Sequence, residues 1–384
     1  MASKTYPSSP ESSESPGFRP EELPPVTPPS AGFIVQLFLI PALIVMAVVA
    51  VWALFGKLAD SDNDWKQLAT ELSSSNEHRR WRAALGLAQL LQNEQIYPPQ
   101  DQEPLAKNPL VVDSLTKLLS ESFASTTNTD EDIRHQEFLA RTLAALDADE
   151  KTLPILAEGM KDSRNIEVRK SSLMSIAAIA GRHFDDATGY TAAVADGSVA
   201  ASMSSRKLPL TAPTISDTAV LEQLRRSAQD SDPVVRHLAG YALGSVSGPD
   251  SLVQLRVMLN DGNRLAQANA AIGLARNGSV DGVPTMIQLL TTSLTPFKYQ
   301  PDSATKDEAA PDAVQQAEAR HQIEEAQVAR NCLKAVQNLW PQIDAEHRTA
   351  LVAIIRQVEQ TSPAPDVRQQ AGELVKAIGQ PENP

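Results

Sequence analysis

Cysteine is almost absent from this 384-residue chain, since Cys332 is the only one. A single thiol cannot form an intramolecular disulfide, nor supply the two or more thiolates of a structural metal cluster. Aromatic residues are also scarce, with four Trp, five Tyr and eight Phe, too few for most base-stacking surfaces and most β-sandwich cores. Alternating runs of Val, Ile and Thr that would predict strands are missing. The composition therefore favours a helical protein packed with alanine and leucine.

Basic residues are outnumbered by acidic ones. The chain has 34 Lys and Arg residues and 47 Asp and Glu residues, which gives a formal net charge of −13. A negative field opposes the counterion release that drives binding to phosphate backbones, so we expect no nucleic-acid partner.

Motifs for catalysis and cofactor binding are also missing. The sequence contains no HExxH pair, no Walker-type phosphate loop and no GxSxG nucleophile elbow. His183, Asp185 and Asp186 are close enough in sequence to hold a divalent ion together, but we interpret them as charged residues of a surface loop. Cys332 is predicted to be a buried, inert thiol. We therefore predict no enzyme activity, no catalytic or metal site, no cofactor and no small-molecule substrate.

The amino-terminal part of the chain is predicted to have two segments. Residues 1–30 are rich in Pro and Ser and hold few side chains that could be buried, which predicts a disordered tail. Residues 31–58 contain a run without charges, which as a helix would be about 34 Å long, enough for a hydrocarbon core of about 30 Å. A cleaved signal peptide would have a shorter apolar region behind a basic start. We therefore predict one transmembrane helix, and the excess of Lys and Arg after it favours a cytoplasmic carboxyl-terminal domain.

The remainder, residues 64–379, carries an internal repeat, followed by a short tail at 380–384. The segment 232–244 reads DPVVRHLAGYALG: a helix cap, a proline at the first helical position, an arginine, and small or apolar residues three, six and seven positions after it. A second amphipathic helix (A) precedes each such helix (B). The same frame returns at Arg80, Glu137, Arg169, Gln267, Arg330 and Arg368.

Neighbouring copies of this frame are 31 residues apart where no insertion intervenes, as between Arg236 and Gln267. Wider gaps hold insertions near 94–108, 183–215 and 294–311, whose polar, Pro-, Gly- and Ser-rich composition predicts surface loops. The period predicts an all-α fold, an α-solenoid of about seven helix pairs.

The repeat resembles the HEAT-like repeats of the phycobilisome-lyase type. The residues that carry the resemblance are Leu153-Pro154 and Val283-Pro284 in A helices, Asp at the A-to-B turns, and Val-Arg pairs in B helices. The resemblance implies that turn aspartates and B-helix arginines pair between adjacent repeats, although Gln267 and Glu137 depart from the pattern. The structural ladder implied in this way comprises Asp162, Arg169, Asp230, Arg236, Asp261 and Arg368.

The resemblance also implies that B helices line a concave groove, and the predicted B helices carry more cations than acids. We therefore expect a membrane-anchored, non-enzymatic scaffold that holds a protein or peptide partner in this groove. Two alternatives stay open: a lyase or chaperone acting on a cofactor-bearing protein, and an accessory subunit of a membrane complex. The candidate partner-binding residues are Arg79, Arg82, Arg134, Arg141 and His237.

Overall fold

The computed structural model describes residues 31–61, 65–99, 103–125, 129–189, 208, 210–297 and 311–379. Helices account for all of the regular structure in these ranges, and no strand occurs in them. The chain divides into two units, residues 1–64 and residues 65–384. The predicted tails, 1–30 and 380–384, lie outside the described residues.

The first unit contains α1, Ala31–Ser61, with Pro41 inside it. Within the described residues, no helix combines the length and the apolar character needed to cross a membrane. This finding overturns the predicted transmembrane anchor at 31–58, together with the membrane contact and the single-pass location inferred from it.

The second unit is a succession of helix pairs, each with an A helix followed by a B helix. The A helices are α2 (Trp65–Glu71), α4 (Pro109–Ala124), α6 (Asp149–Gly159), α8 (Thr218–Ser227), α10 (Gly248–Met258), α12 (Val283–Thr292) and α14 (Ala345–Thr361). The B helices are α3 (Glu77–Ile96), α5 (Asp130–Leu143), α7 (Ile166–Thr188), α9 (Pro233–Val246), α11 (Arg264–Arg276), α13 (Pro311–Leu339) and α15 (Pro365–Ile378). Short 3-10 helices cover Leu105–Lys107, Val280–Gly282 and Trp340–Gln342.

The pairs stack in two layers. In the B layer, α5, α7, α9, α11, α13 and α15 each contact the next helix in this order. In the A layer, α2 contacts α4, α4 contacts α6, α6 contacts α8, and α12 contacts α14. The buried apolar side chains form two clusters, one reaching from Ala69 to Leu274 and the other from Ala268 to Leu374. Each pair therefore shares its core mainly with its neighbours.

The B helices begin where the side chain of a polar residue accepts a hydrogen bond from a free backbone amide. Asn76 caps α3, Asp232 caps α9, and Asn263 caps α11 in this way. In α5, Thr129 and Asp132 form a reciprocal capping box. We call the part of the stack that contains these A-to-B turns the turn edge.

Two of the predicted insertions contain ordered, buried residues. In 94–108, α3 continues to Ile96, and the buried Leu105 donates its amide to Glu94 at 2.7 Å. In 183–215, α7 continues to Thr188 and Ile215 is buried. Residues 100–102, 190–207, 209 and 298–310, which include most of the insertion at 294–311, lie outside the described residues. The predicted loop boundaries were too wide because apolar residues at both ends of an insertion pack onto the stack.

Candidate functional site

Ion pairs link successive helix pairs along the turn edge. Arg236 on α9 donates from Nε and Nη2 to the two carboxylate oxygens of Asp261, at 2.8 and 2.9 Å. Its Nη1 donates to the backbone carbonyl of Asp230 at 2.9 Å. The hydrogen bond from Arg236 holds the pKa of Asp261 below its ordinary value. Arg236 therefore joins its own turn to the turn of the next pair.

Arg169 makes a similar connection one pair earlier. It is buried, it lies 3.5 Å from Asp162 in its own turn, and it forms an ion pair with Asp230 in the next turn. Asp162 is largely exposed, whereas Asp230 is nearly buried in this pair. The stronger of the two contacts is therefore the one between repeats.

The carboxyl-terminal pairs keep the backbone contact of the arginine but change its partner. Arg368 donates to the carbonyls of Ser362 and Pro363 at 2.5 and 3.4 Å, and no carboxylate pairs with it among the described residues. Gln267 donates to the carbonyl of Asp261 at 2.7 Å. A glutamine can thus occupy the arginine position, because the bond to the preceding turn needs only an N–H donor.

In the second repeat, Gln136 holds the ladder position, one residue before the predicted Glu137. Gln136, not Glu137, is buried and donates to the backbone carbonyl of Ser122 at 3.1 Å, which is the contact that Gln267 makes in its own pair. Glu137 lies on the surface near Arg141, with 3.9 Å between their charged groups. The sequence did contain a pattern for this register. Leu139, Thr142 and Leu143 lie three, six and seven positions after Gln136, as the repeat requires, and all three are buried.

On the B helices, the residue five positions after the ladder position points to solvent in several consecutive pairs. Leu85, Met174 and Tyr241 are 40, 43 and 46% exposed. Arg141 is exposed at this position in α5, and Ile272 is half-buried in α11. Because α5, α7, α9 and α11 contact each other in order, Arg141, Met174, Tyr241 and Ile272 lie on successive helices of the layer, and Leu85 holds the same repeat position on α3. We call this set, Leu85, Arg141, Met174, Tyr241 and Ile272, the B-face row.

The predicted partner-binding residues lie on B helices but do not form a single cluster. Arg79, Arg82, Arg134 and Arg141 are exposed on α3 and α5. His237 is half-buried on α9, and burial lowers its pKa, which leaves the ring uncharged near pH 7. His237 is therefore not a cation that could attract an acidic partner at neutral pH.

A cavity of about 330 Å³ opens on the turn edge between the first and second pairs. Trp81, Leu118 and Leu139 supply its apolar wall. The Trp81 ring also contacts the rings of His135 at 3.6 Å and Phe138 at 5.3 Å between centroids. The polar residues that line the cavity are Glu77, Arg80, Glu121, Ser122, Ser125, Asp132 and His135.

The residues considered for metal binding and nucleophilic chemistry have structural contacts. His183 lies 3.3 Å from a carboxylate oxygen of Asp149 and 3.2 Å from the carbonyl oxygen of Thr214. Asp185 pairs with Arg276 at 3.2 Å. No group of three His, Cys, Asp or Glu residues suited to a metal ion occurs in the described parts of the chain. Cys332 is buried, and burial raises its pKa to about 12, so it carries no thiolate at neutral pH.

Comparison with known proteins finds no matching family model and no matching curated protein. One similar solved structure is an engineered protein, 18% identical over 84% of this chain and 100% of that chain, with a TM-score of 0.30. Another is YibA of Escherichia coli, 13% identical over 84% and 96%, with a TM-score of 0.31. A third is human deoxyhypusine hydroxylase in complex with glycerol, 15% identical over 84% and 98%, with a TM-score of 0.26. Similarities at these TM-scores carry no argument about function.

Proposed function

We propose that residues 65–379 form a non-enzymatic scaffold of HEAT-like helix pairs that binds a segment of a partner protein along the B-face row. The observation that carries this proposal is the alignment of Leu85, Met174 and Tyr241 at one repeat position, each about 40 to 46% exposed. More than a third of each of these apolar or aromatic side chains is exposed to solvent. They supply the large contact area typical of binding hot spots.

The HEAT-like assignment is supported by the contacts of Arg169 and Arg236, which join consecutive turns as the resemblance implies. In a stack of this kind each pair is supported by its neighbours, so a row of side chains on successive B helices forms an extended surface. Arg82 and Arg141 are exposed on α3 and α5. Charges there would influence the rate and specificity of association more than its strength.

The proposal is tested by site-specific photo-cross-linking in the cells that make the protein. Benzoylphenylalanine at position 241 should cross-link to a defined partner. The same residue at position 257, where Val257 is 62% exposed on α10, should not, because that site is outside the B-face row. Identical products from both positions, or none from 241, would refute binding along the row.

A second measurement separates binding from stability. Met174→Glu should reduce recovery of the cross-linked partner by about tenfold while leaving the melting temperature nearly unchanged, since Met174 is 43% exposed. Val253→Glu is the matched control, because Val253 is 57% exposed on α10. A lower melting temperature for Met174→Glu would show that this side chain stabilises the stack instead.

A further inference from the structure

The cavity between the first and second helix pairs interrupts the series of contacts along the turn edge. At the later junctions Arg169 and Arg236 each pair with a turn carboxylate of the next repeat. Arg80 holds the equivalent position in α3 and lines the cavity instead, and it forms no ion pair with any residue in the described parts of the chain. The ion pair that links the turns at those two junctions is therefore missing at the first junction among the described residues.

The cavity has the chemistry of a site for an organic cation. Its wall includes the carboxylates of Glu77 and Glu121 and the guanidinium of Arg80, while the third carboxylate, Asp132, accepts hydrogen bonds from Thr129 in the capping box of α5. Trp81, Leu118 and Leu139 offer apolar surface beside these charges, which suits an aliphatic chain that ends in a cationic group. Its size, about 330 Å³, is within the range of small ligand sites.

The chain itself shows which cation fits such surroundings. At the next junction Arg164, from the turn after α6, lies over the Phe123 ring at 4.3 Å and donates to the Phe123 carbonyl at 3.0 Å and to Glu158 at 2.6 Å. Arg276 lies over Phe184 at 4.5 Å and pairs with Asp185. In both places a guanidinium lies on an aromatic ring beside a carboxylate.

The first junction has the ring and the carboxylates, but its one guanidinium, that of Arg80, forms no ion pair with them among the described residues. The turn between α4 and α5, residues 125–129, reads STTNT and contains no Lys or Arg. No cation lies over the Trp81 ring among the described residues. Glu121 has Lys117 as a neighbour one turn away on the exposed face of α4, at 3.8 Å, a contact that solvent weakens.

We propose that this cavity binds an arginine side chain of a partner protein, with the guanidinium at Glu77 and Glu121 and the aliphatic part against Trp81 and Leu118. The site is separate from the B-face row and does not depend on the function proposed above. Arg80 is itself a cation in the cavity wall and attracts acidic side chains, so a glutamate peptide is included in the test as the competing outcome.

The test uses the full chain and short blocked peptides that differ at one position. The peptide Gly-Ser-Arg-Ser-Gly is compared with versions that carry citrulline, the neutral isostere of arginine, or glutamate. Binding is followed through the four tryptophan indole N–H signals in nitrogen-15 NMR spectra, and Trp81→Phe identifies the relevant signal. The Trp81 signal should shift saturably with the arginine peptide, and the citrulline peptide should bind about tenfold more weakly.

Two double variants of equal charge separate a specific site from general attraction to an acidic protein. Glu77→Gln with Glu121→Gln should weaken arginine-peptide binding by about tenfold. Glu150→Gln with Glu346→Gln, at exposed residues on α6 and α14, should leave it within about twofold. The proposal fails if both double variants act equally, if citrulline binds as well as arginine, or if the glutamate peptide binds more tightly. Arginine-peptide binding should be unchanged in Tyr241→Ala, because Tyr241 belongs to the B-face row and not to this cavity.

Discussion

A single methyl group at a close contact between helices α9 and α11 tests the packing of the stack directly. A Cβ atom added at Gly244 on α9 would lie 2.7 Å from the Cα of Gly273 on α11. The obstructing atom belongs to the backbone, so no flexible side chain can move out of the way. Gly244→Ala must therefore push α9 and α11 apart.

The expected cost follows from opposing contributions. Overpacking a tight contact costs about 1–3 kcal/mol, while replacing glycine by alanine inside a helix returns about 1 kcal/mol. Separation of the helices also strains the buried amide of Asn277, which donates to the carbonyls of Gly244 and Gly273 at 2.9 and 2.8 Å. Each of these bonds contributes about 1 kcal/mol. We expect Gly244→Ala to lower the free energy of unfolding by about 2 kcal/mol.

Gly181 provides the matched control. It lies inside α7, and no atom would lie within 4 Å of an added Cβ. Gly181→Ala should therefore stabilise the protein by about 0.5–1 kcal/mol through helix propensity alone. Urea unfolding followed by circular dichroism measures both variants. A Gly244→Ala protein as stable as the Gly181→Ala protein would refute the close helix contact.

Hydrogen exchange locates the damage. Since each pair contacts mainly its neighbours, amides of α9, α11 and the adjacent helices should lose protection in Gly244→Ala, while those of α14 and α15 keep it. Equal loss throughout the second unit would mean that it unfolds as one cooperative body.

Three further outcomes follow from individual side chains. Arg236 holds the pKa of Asp261 below its ordinary value, so the stabilisation from this pair is present above pH about 4 and is lost as the pH falls through the lowered pKa. Asp261→Asn should lower the free energy of unfolding by about 2 kcal/mol at pH 7. In urea titrations at several pH values, the variant should also lose less stability than the wild type as the pH falls. Cys332, whose pKa is raised to about 12 by burial, should react with a thiol reagent only after unfolding, and rapid labelling of the native protein would contradict its buried position. Gln136→Ala should destabilise by about 1–2 kcal/mol and Glu137→Ala by less than about 0.5 kcal/mol, so equal effects would refute the ladder position assigned to Gln136.

The helices of this protein could be predicted from sequence because their signals are local. Apolar residues at three- and four-residue spacing, and caps such as Asn76 and Asp232, act within one turn of their own helix. The arginine or glutamine at a constant position in the repeats likewise followed from spacing, except in α5, where the predicted register was one residue out. These features depend on hydrogen bonds and side chains only a few residues apart.

The membrane span and the boundaries of the surface loops were predicted less well from the sequence. The apolar run in 31–58 predicted a membrane span, yet no helix in the described residues is both long enough and apolar enough to form one. Leu105 and Ile215 stood in segments with loop composition, but they are buried. Composition reports the average character of a segment, whereas burial depends on which distant residues happen to face each side chain.

Contacts between pairs were decided only by the tertiary structure. Whether Gln136 or Glu137 faces the preceding turn depends on the rotation of α5 by about one residue, or about 100° for a helix of 3.6 residues per turn. The cavity beside Trp81 depends in the same way on how far α3 lies from α5. Such distances result from packing among residues far apart in the chain, so the sequence determined the helices and their repeat, while the fold determined which surfaces those helices leave open.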